Sequence, residues 1–327
     1  MTTYKEKRGT NIEVVATDPS NPIDGQVWYN SSSKVVKGYK VITENWATAN
    51  SMNTARSQLG QAGVTTSAAL AFAGQAGPTQ SVTEAYNGTN WTEVNDMGTN
   101  RRMIGSANYA PQTAALGFGG FGPGTKDETE KWNGTNWTEV NNLNTARYNP
   151  KGAGTQTSAL AFGGSQNPPP AQFQETESWN GTNWTEVNDL TRPAGPVGAG
   201  TGESNTAAIA FGKGPTGGNT ELWNGTNWTE VNDLTTAREG LAGVGTSTLA
   251  LGIGGVTPPG TTVTNVEKWN GTNWTEVTDL NAAQGNGAGA GLASAALGFA
   301  GTSPPPVTGA TEVFTEGGTE TVTFTDS

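Results

Sequence analysis

The nine residues W-N-G-T-N-W-T-E-V, Trp132 to Val140, return almost letter for letter from Trp179, Trp223 and Trp269, and once earlier with Tyr86 in the lead position. Their second aromatic falls at Trp91, Trp137, Trp184, Trp228 and Trp274, and a weaker version, E-N-W-A-T, places Trp46 ahead of them. The intervals between these tryptophans are 45, 46, 47, 44 and 46 residues. A period of that size, sustained along the chain, marks an array of like supersecondary units. It speaks to architecture and leaves chemistry open.

Working outward from the nine residues, Asn-Gly tolerates positive φ and turns the chain between two antiparallel strands, T-E-x-aromatic before it and W-T-E-V after it. Past each tryptophan comes N-x-x-A-R or a variant, with Arg56, Arg101, Arg147 and Arg238 in matching places, then a small-residue strand such as Gly152, Ala153, Gly154. A second inner strand alternates bulk with Ala or Gly: Leu70 and Phe72, Leu116 and Phe118, Leu160 and Phe162, Ile209 and Phe211, Leu251 and Ile253, Leu297 and Phe299. A period of two with large residues on one face suits a sheet packed on both sides. Each unit therefore reads as four strands, a to d. Six inner hairpins, closing at Gly74, Gly120, Gly164, Gly212, Gly255 and Gly301, predict six blades. The ends supply one outer pair too many, since Tyr39 to Val41 and Trp46 to Thr48 look like c and d strands without inner partners. We expect the strand with Trp46 to lie on the outer edge of the blade built from residues 282 to 316, tying the ring shut.

These features resemble kelch repeats of the β-propeller class: paired glycines close strand b (Gly119 with Gly120, Gly163 with Gly164, Gly254 with Gly255), and an aromatic and then a Trp follow. The resemblance covers residues 46 to about 325 and implies an all-β, six-bladed propeller over 46–327. The aromatics are five apart, closer than is usual for kelch, and Ala194 and Gln284 stand where other repeats have Arg.

Composition limits function. Net charge is -11 with a pI near 4.5, which argues against a nucleic-acid partner because little here would displace its counterions. There is no run of 18 apolar residues, so no membrane span is expected. The start M-T-T-Y-K-E-K-R-G lacks the apolar core of a secretory signal. The 327 residues include no cysteine and no histidine, which removes thiolate and imidazole chemistry. No cofactor is expected.

Residues 1–45 differ from the array in charge, with six Lys or Arg against five acids, while the remainder has eleven against twenty-three. D-P-S-N-P-I-D-G at 18 to 25 is turn-rich, and Gln26 to Asn30 and Lys34 to Tyr39 read as a hairpin around three serines. It plugs the end of the array, anchors the chain to a larger assembly, or does both. The lead D-P-S-N-P-I-D-G-Q-V-W-Y-N-S-S-S-K, joined to near-identical Gly/Thr/Asn-rich repeats, is similar to virion appendage proteins of tailed phages, particularly marine ones. That resemblance implies a virion component assembled in the host cytoplasm. It would contact other virion proteins through residues 1–45, be present in many copies or as a homo-oligomer, and recognise a host-surface glycan.

Several candidate chemistries have plainer readings. The glutamates at 84, 130, 177, 221, 267 and 312 would suit calcium only if clustered, and pairing with the repeat arginines explains them more simply. The sequons Asn87-Gly-Thr89 and Asn90-Trp-Thr92 are good turns without modification. Two carboxylates suffice for a glycosidase, but nothing singles out two from a repeated set, so an enzyme is not expected. The tryptophans fill space between widening blades rather than stack on sugars. Function belongs where blades differ, in the b-to-c loops, which share one face with the d-to-a connections. The candidate ligand-binding residues are Phe121, Tyr148, Gln166, Asn167 and Phe173. The remaining alternatives are a glycan-degrading enzyme on this scaffold and a purely architectural decoration protein.

Overall fold

Each repeat folds into one antiparallel sheet because its alternating strands are separated by turns that need glycine or asparagine, and these sheets then bury their small-residue faces on one another. In the computed structural model, residues 12–166, 171–191, 198–212, 218–302 and 306–324 are described, and every regular element among them is a strand. No helix there is long and apolar enough to cross a membrane. The chain divides into two compact units, Trp46–Phe314 and Met1–Asn45 with Thr315–Ser327.

The larger unit is a six-bladed propeller. Blade 1 comprises strands a Gly60–Thr65, b Ala68–Phe72, c Thr83–Tyr86 and d Trp91–Val94, hydrogen-bonded in that order. Blades 2 to 5 repeat the order, starting from a strands Gly105–Ser106, Lys151–Thr155, Ala199–Ser204 and Ala242–Gly245. Their d strands are Trp137–Val140, Trp184–Val187, Trp228–Val231 and Trp274–Glu276. Blade 6 takes Ala288–Leu292, Ala295–Phe299 and Thr311–Thr315 from one end of the array and its d strand, Asn45–Ala49, from the other. The strand carrying Trp46 closes the ring, as expected.

The inner strands are made of small residues because the neighbouring rings lie on their backbone. A Cβ on Gly60 would meet the Phe72 ring at 2.2 Å, and one on Gly200 would meet Phe162 of the preceding blade at 2.4 Å. Between blades the d-strand tryptophan packs on the b-strand phenylalanine of the blade before it: Trp91 on Phe299, Trp137 on Phe72, Trp184 on Phe118, Trp228 on Phe162 and Trp274 on Phe211, with centroids 4.7 to 5.0 Å apart. Each of these indoles also donates to the first threonine of the preceding c strand, at 3.0 Å: Thr311, Thr83, Thr129, Thr176 and Thr220 in the same order. Blade 5 has Val266 in that place, and there Trp46 Nε1 donates instead to the Thr278 carbonyl at 2.9 Å. The tryptophans are therefore seam-fillers and not a sugar platform.

The smaller unit is more than a hairpin. Val27–Asn30 and Val35–Ile42 form the expected antiparallel pair, Glu13–Val15 lies parallel to the first, and Gly318–Phe324 lies antiparallel to the second. This corrects the expected boundaries: the terminal T-E-T-V-T-F strand belongs with the N-terminal segment and not with a propeller spanning 46–327. Tyr39 to Val41 likewise lie in this sheet and not in a blade. The physical reason is length, since Val35–Ile42 offers eight residues and can be paired along both sides. Asp18 pins the loop beneath, accepting from Trp28 Nε1 at 3.0 Å, Asn30 Nδ2 at 2.7 Å and Lys37 Nζ at 2.7 Å. These donors hold the Asp18 carboxyl down at about 2, the Lys37 bond first among them.

Candidate functional site

The repeated polar residues are consumed by the ring. The buried pairs Arg56–Glu84, Arg101–Glu130, Arg147–Glu177 and Arg238–Glu267 meet at 3.3, 2.6, 2.7 and 2.9 Å. The same guanidinium groups donate to backbone carbonyls: Arg147 to Gly163 and Glu175, and Arg238 to Gly254 and Asn265. Burial pushes the guanidinium groups of Arg56, Arg101 and Arg238 below their usual range, and the facing glutamates pull them back up. Each glutamate also accepts N–H bonds from the connection leading into its blade, as Glu177 does from Asn144 and Thr145. In blade 6, Gln284 reaches the Ala300 carbonyl in the arginine's place, and Glu312 is held by the backbone N–H groups of Asn281 and Ala282. Ala194 lies outside the described residues. Among the described residues no group of three or more His, Cys, Asp or Glu is placed to hold a metal ion.

Two residues after each arginine position among the described residues the backbone turns left-handed, at Gln58, Met103, Asn149, Gly240 and Asn286, with φ from 51 to 61°. Their peptides join head to tail. Met103 N–H donates to Gln58 O, Asn149 N–H to Met103 O, Asn286 N–H to Gly240 O, and Gln58 N–H to Asn286 O, all at 2.7 to 2.9 Å. This belt rims the axis. Inside it, Gln61 donates to Gly243 O at 2.9 Å and accepts from Gly289 N–H at 2.6 Å, so blade 1 is tied across the channel to blade 5 and alongside it to its neighbour, blade 6. Asn108 of blade 2 donates to Gly200 O of blade 4 at 2.7 Å. A cavity there, lined by Gln61, Ser106, Asn108 and Lys151, is about 60 Å³. That holds a few waters, and a saccharide needs several-fold more.

What differs among the described blades lies one residue after the arginine position. There the d-to-a connection forms a short bridge with the b-to-c loop: Ser57 with Gln75, Arg102 with Phe121, Tyr148 with Ser165, Glu239 with Val256 and Gly285 with Thr302. Both sets of connections thus share one face, as the repeat order implied. On the arc from blade 1 to blade 3 the side chains interlock. Gln75 Oε1 accepts from Arg102 Nη1 at 2.6 Å, the guanidinium lies over Phe121 at 5.3 Å, and Phe121 meets Tyr148 edge-on at 5.8 Å. Phe173 lies over the Arg147 guanidinium at 5.4 Å, and Gln166 follows Ser165, the bridge partner of Tyr148. Phe121, Tyr148, Gln166 and Phe173 are all half-buried. The structure therefore gathers four of the five candidates on one arc, and Asn167 lies outside the described residues. Sequence reasoning missed Gln75 and Arg102. For Arg102 the available signal was that the residue after the repeat arginine varies, a position that Tyr148 also occupies, whereas Gln75 lies in a b-to-c loop.

No protein-family model matches the chain, and no curated protein does. Among solved structures, one described as "Structure of YjhT" matches with a TM-score of 0.68 over 83% of this chain and 99% of that chain, at 11% sequence identity. At that identity the likeness is one of fold. The chain is an all-β, six-bladed propeller of four-stranded, kelch-like blades, accompanied by a small sheet built around its N-terminal hairpin.

Proposed function

We propose that the chain is a virion appendage protein of a tailed phage, which docks through residues 1–45 and presents its propeller for recognition of host-surface glycans. Binding without turnover is the mechanism, with weak sites on several copies acting together through effective concentration. The supporting observation is the division of labour among the blades. The repeated Trp, Thr, Arg and Glu, with Val266 and Gln284 as exceptions, serve the ring itself, whereas the variable connections carry Gln75, Arg102, Phe121 and Tyr148 side by side on a single face. Aromatic side chains with an adjacent guanidinium match a pyranose, which offers C–H faces for stacking and hydroxyls for hydrogen bonds.

The test is binding of the full chain to immobilised host-surface polysaccharide, alongside a Phe121→Ala/Tyr148→Ala variant. Loss of two stacking partners lowers affinity by about 10- to 100-fold, at about 1 kcal/mol each. Unaltered binding by the variant would move the site elsewhere, and release of oligosaccharide by the native chain would make it an enzyme. Docking is tested by deleting residues 1–40: normal incorporation of the truncated chain into particles would remove that half of the proposal.

A further inference from the structure

The two edges of the small sheet are treated differently by the sequence. One edge is the three-residue strand Glu13–Val15, followed by Pro19 and Pro22. Shortness and proline are ordinary means of keeping an edge from pairing with another chain. The other edge, Gly318–Phe324, is seven residues long and pairs with Val36 to Ile42 without a bulge or register shift. It contains no proline and no lysine, and its single charge is Glu320. Among the described residues, no backbone group of 318–324 has a partner on the side away from Val35–Ile42.

The face beside this edge is apolar as well. Directly paired residues point to the same side of a sheet, so Val14, Tyr29, Val36 and Phe324 form one row across all four strands. Val14 is 66% exposed and Phe324 53%. Of the eight large hydrophobic residues exposed in the described chain, six (Ile12, Val14, Ile23, Val27, Val41 and Phe324) belong to this unit.

We infer that Gly318–Phe324 is an intermolecular pairing edge whose occupant is the same strand of a second copy, joined antiparallel about a two-fold axis at Thr321. That register opposes Gly318 with Phe324, Thr319 with Thr323, Glu320 with Val322, and Thr321 with its own copy. Parity is kept, so the apolar rows of both copies lie on one side of a continuous eight-stranded sheet. Like charges are not opposed, whereas a two-residue slip in one direction would set Glu320 against Glu320. Phe324, whose ring lies over Gly38 of its own sheet, falls opposite Gly318 of the second copy, above which there is open space. Threonine pairs fill the other face.

The experiment is sedimentation of the full chain at physiological salt, with Thr321→Lys, Thr321→Glu and their equimolar mixture. Thr321 is exposed, so neither change alters the folded protomer. The native chain is expected to dimerise. Each variant places like charges opposite each other and raises the dimer dissociation constant by about tenfold or more, and the mixture restores dimers by pairing lysine with glutamate. The proposal is overturned if the native chain stays monomeric up to concentrations on the order of 100 μM. It is equally overturned if both variants dimerise as well as the native chain.

Discussion

Replacing Arg238 by alanine tests what holds a blade in the ring. The guanidinium donates to the Gly254 carbonyl at 2.5 Å, to the Asn265 carbonyl at 2.6 Å and to Glu267 at 2.9 Å. All of this lies within a side chain that is fully buried. Because the Asn265 carbonyl keeps the Gly254 N–H at 2.9 Å, truncation orphans one main-chain acceptor, the Gly254 carbonyl, and leaves one carboxylate without its counter-charge, which costs about 3–5 kcal/mol. The chain carries its own control in blade 6, where Gln284 donates to the equivalent carbonyl of Ala300 and Glu312 is satisfied by backbone N–H groups without any arginine. Arg238→Gln should therefore cost about half as much as Arg238→Ala, because one carbonyl keeps a donor and Glu267 keeps the N–H groups of Thr235 and Thr236. Removing Glu267 as well should not rescue the alanine variant, since the orphaned Gly254 carbonyl remains. Equilibrium unfolding in urea at constant pH gives the three differences. A loss below about 1 kcal/mol for alanine, or equal losses for alanine and glutamine, would refute the view that the arginine chiefly serves the main chain.

Two further outcomes follow from the seams and the small sheet. Thr129→Val removes the acceptor of the buried Trp184 indole and should cost about 1–3 kcal/mol in thermal or urea unfolding, whereas Val266→Thr should bring no gain and cost about 1 kcal/mol or more, because Val266 is fully buried and Trp46 already has the Thr278 carbonyl, so the new hydroxyl gains no donor. Asp18 has a folded value of about 2 against an ordinary 3.8, so its contribution is fully present above about pH 4 and is lost as pH falls toward 2. An NMR acid titration should show the Trp28 indole proton shifting over that window, and Asp18→Asn should abolish the transition.

Much of the architecture could be read from the letters. The interval between Trp46, Trp91 and their successors gave the wedge size, the Leu-x-Phe pairs counted the inner hairpins, and the unpaired Trp46 segment identified the closing strand. Of the site, Phe121 and Tyr148 were legible because a repeat shows its own exceptions. Arg102 was not, since beside Arg101 it looked like a duplicate of a structural residue, and only the bond to Gln75 and the stack on Phe121 distinguish it.

What one dimension can encode is the local unit: strand period, turn chemistry and the rhythm of bulky residues, all set by neighbours a few positions apart. What it does not encode is which distant copies touch. The bond from Trp91 to Thr311, the tie from Gln61 to Gly243 and Gly289, and the pairing of Gly318–Phe324 with Val35–Ile42 all join residues far apart along the chain. These contacts exist only once the ring has closed and brought its ends together, so no local pattern carries them and folding alone decided them.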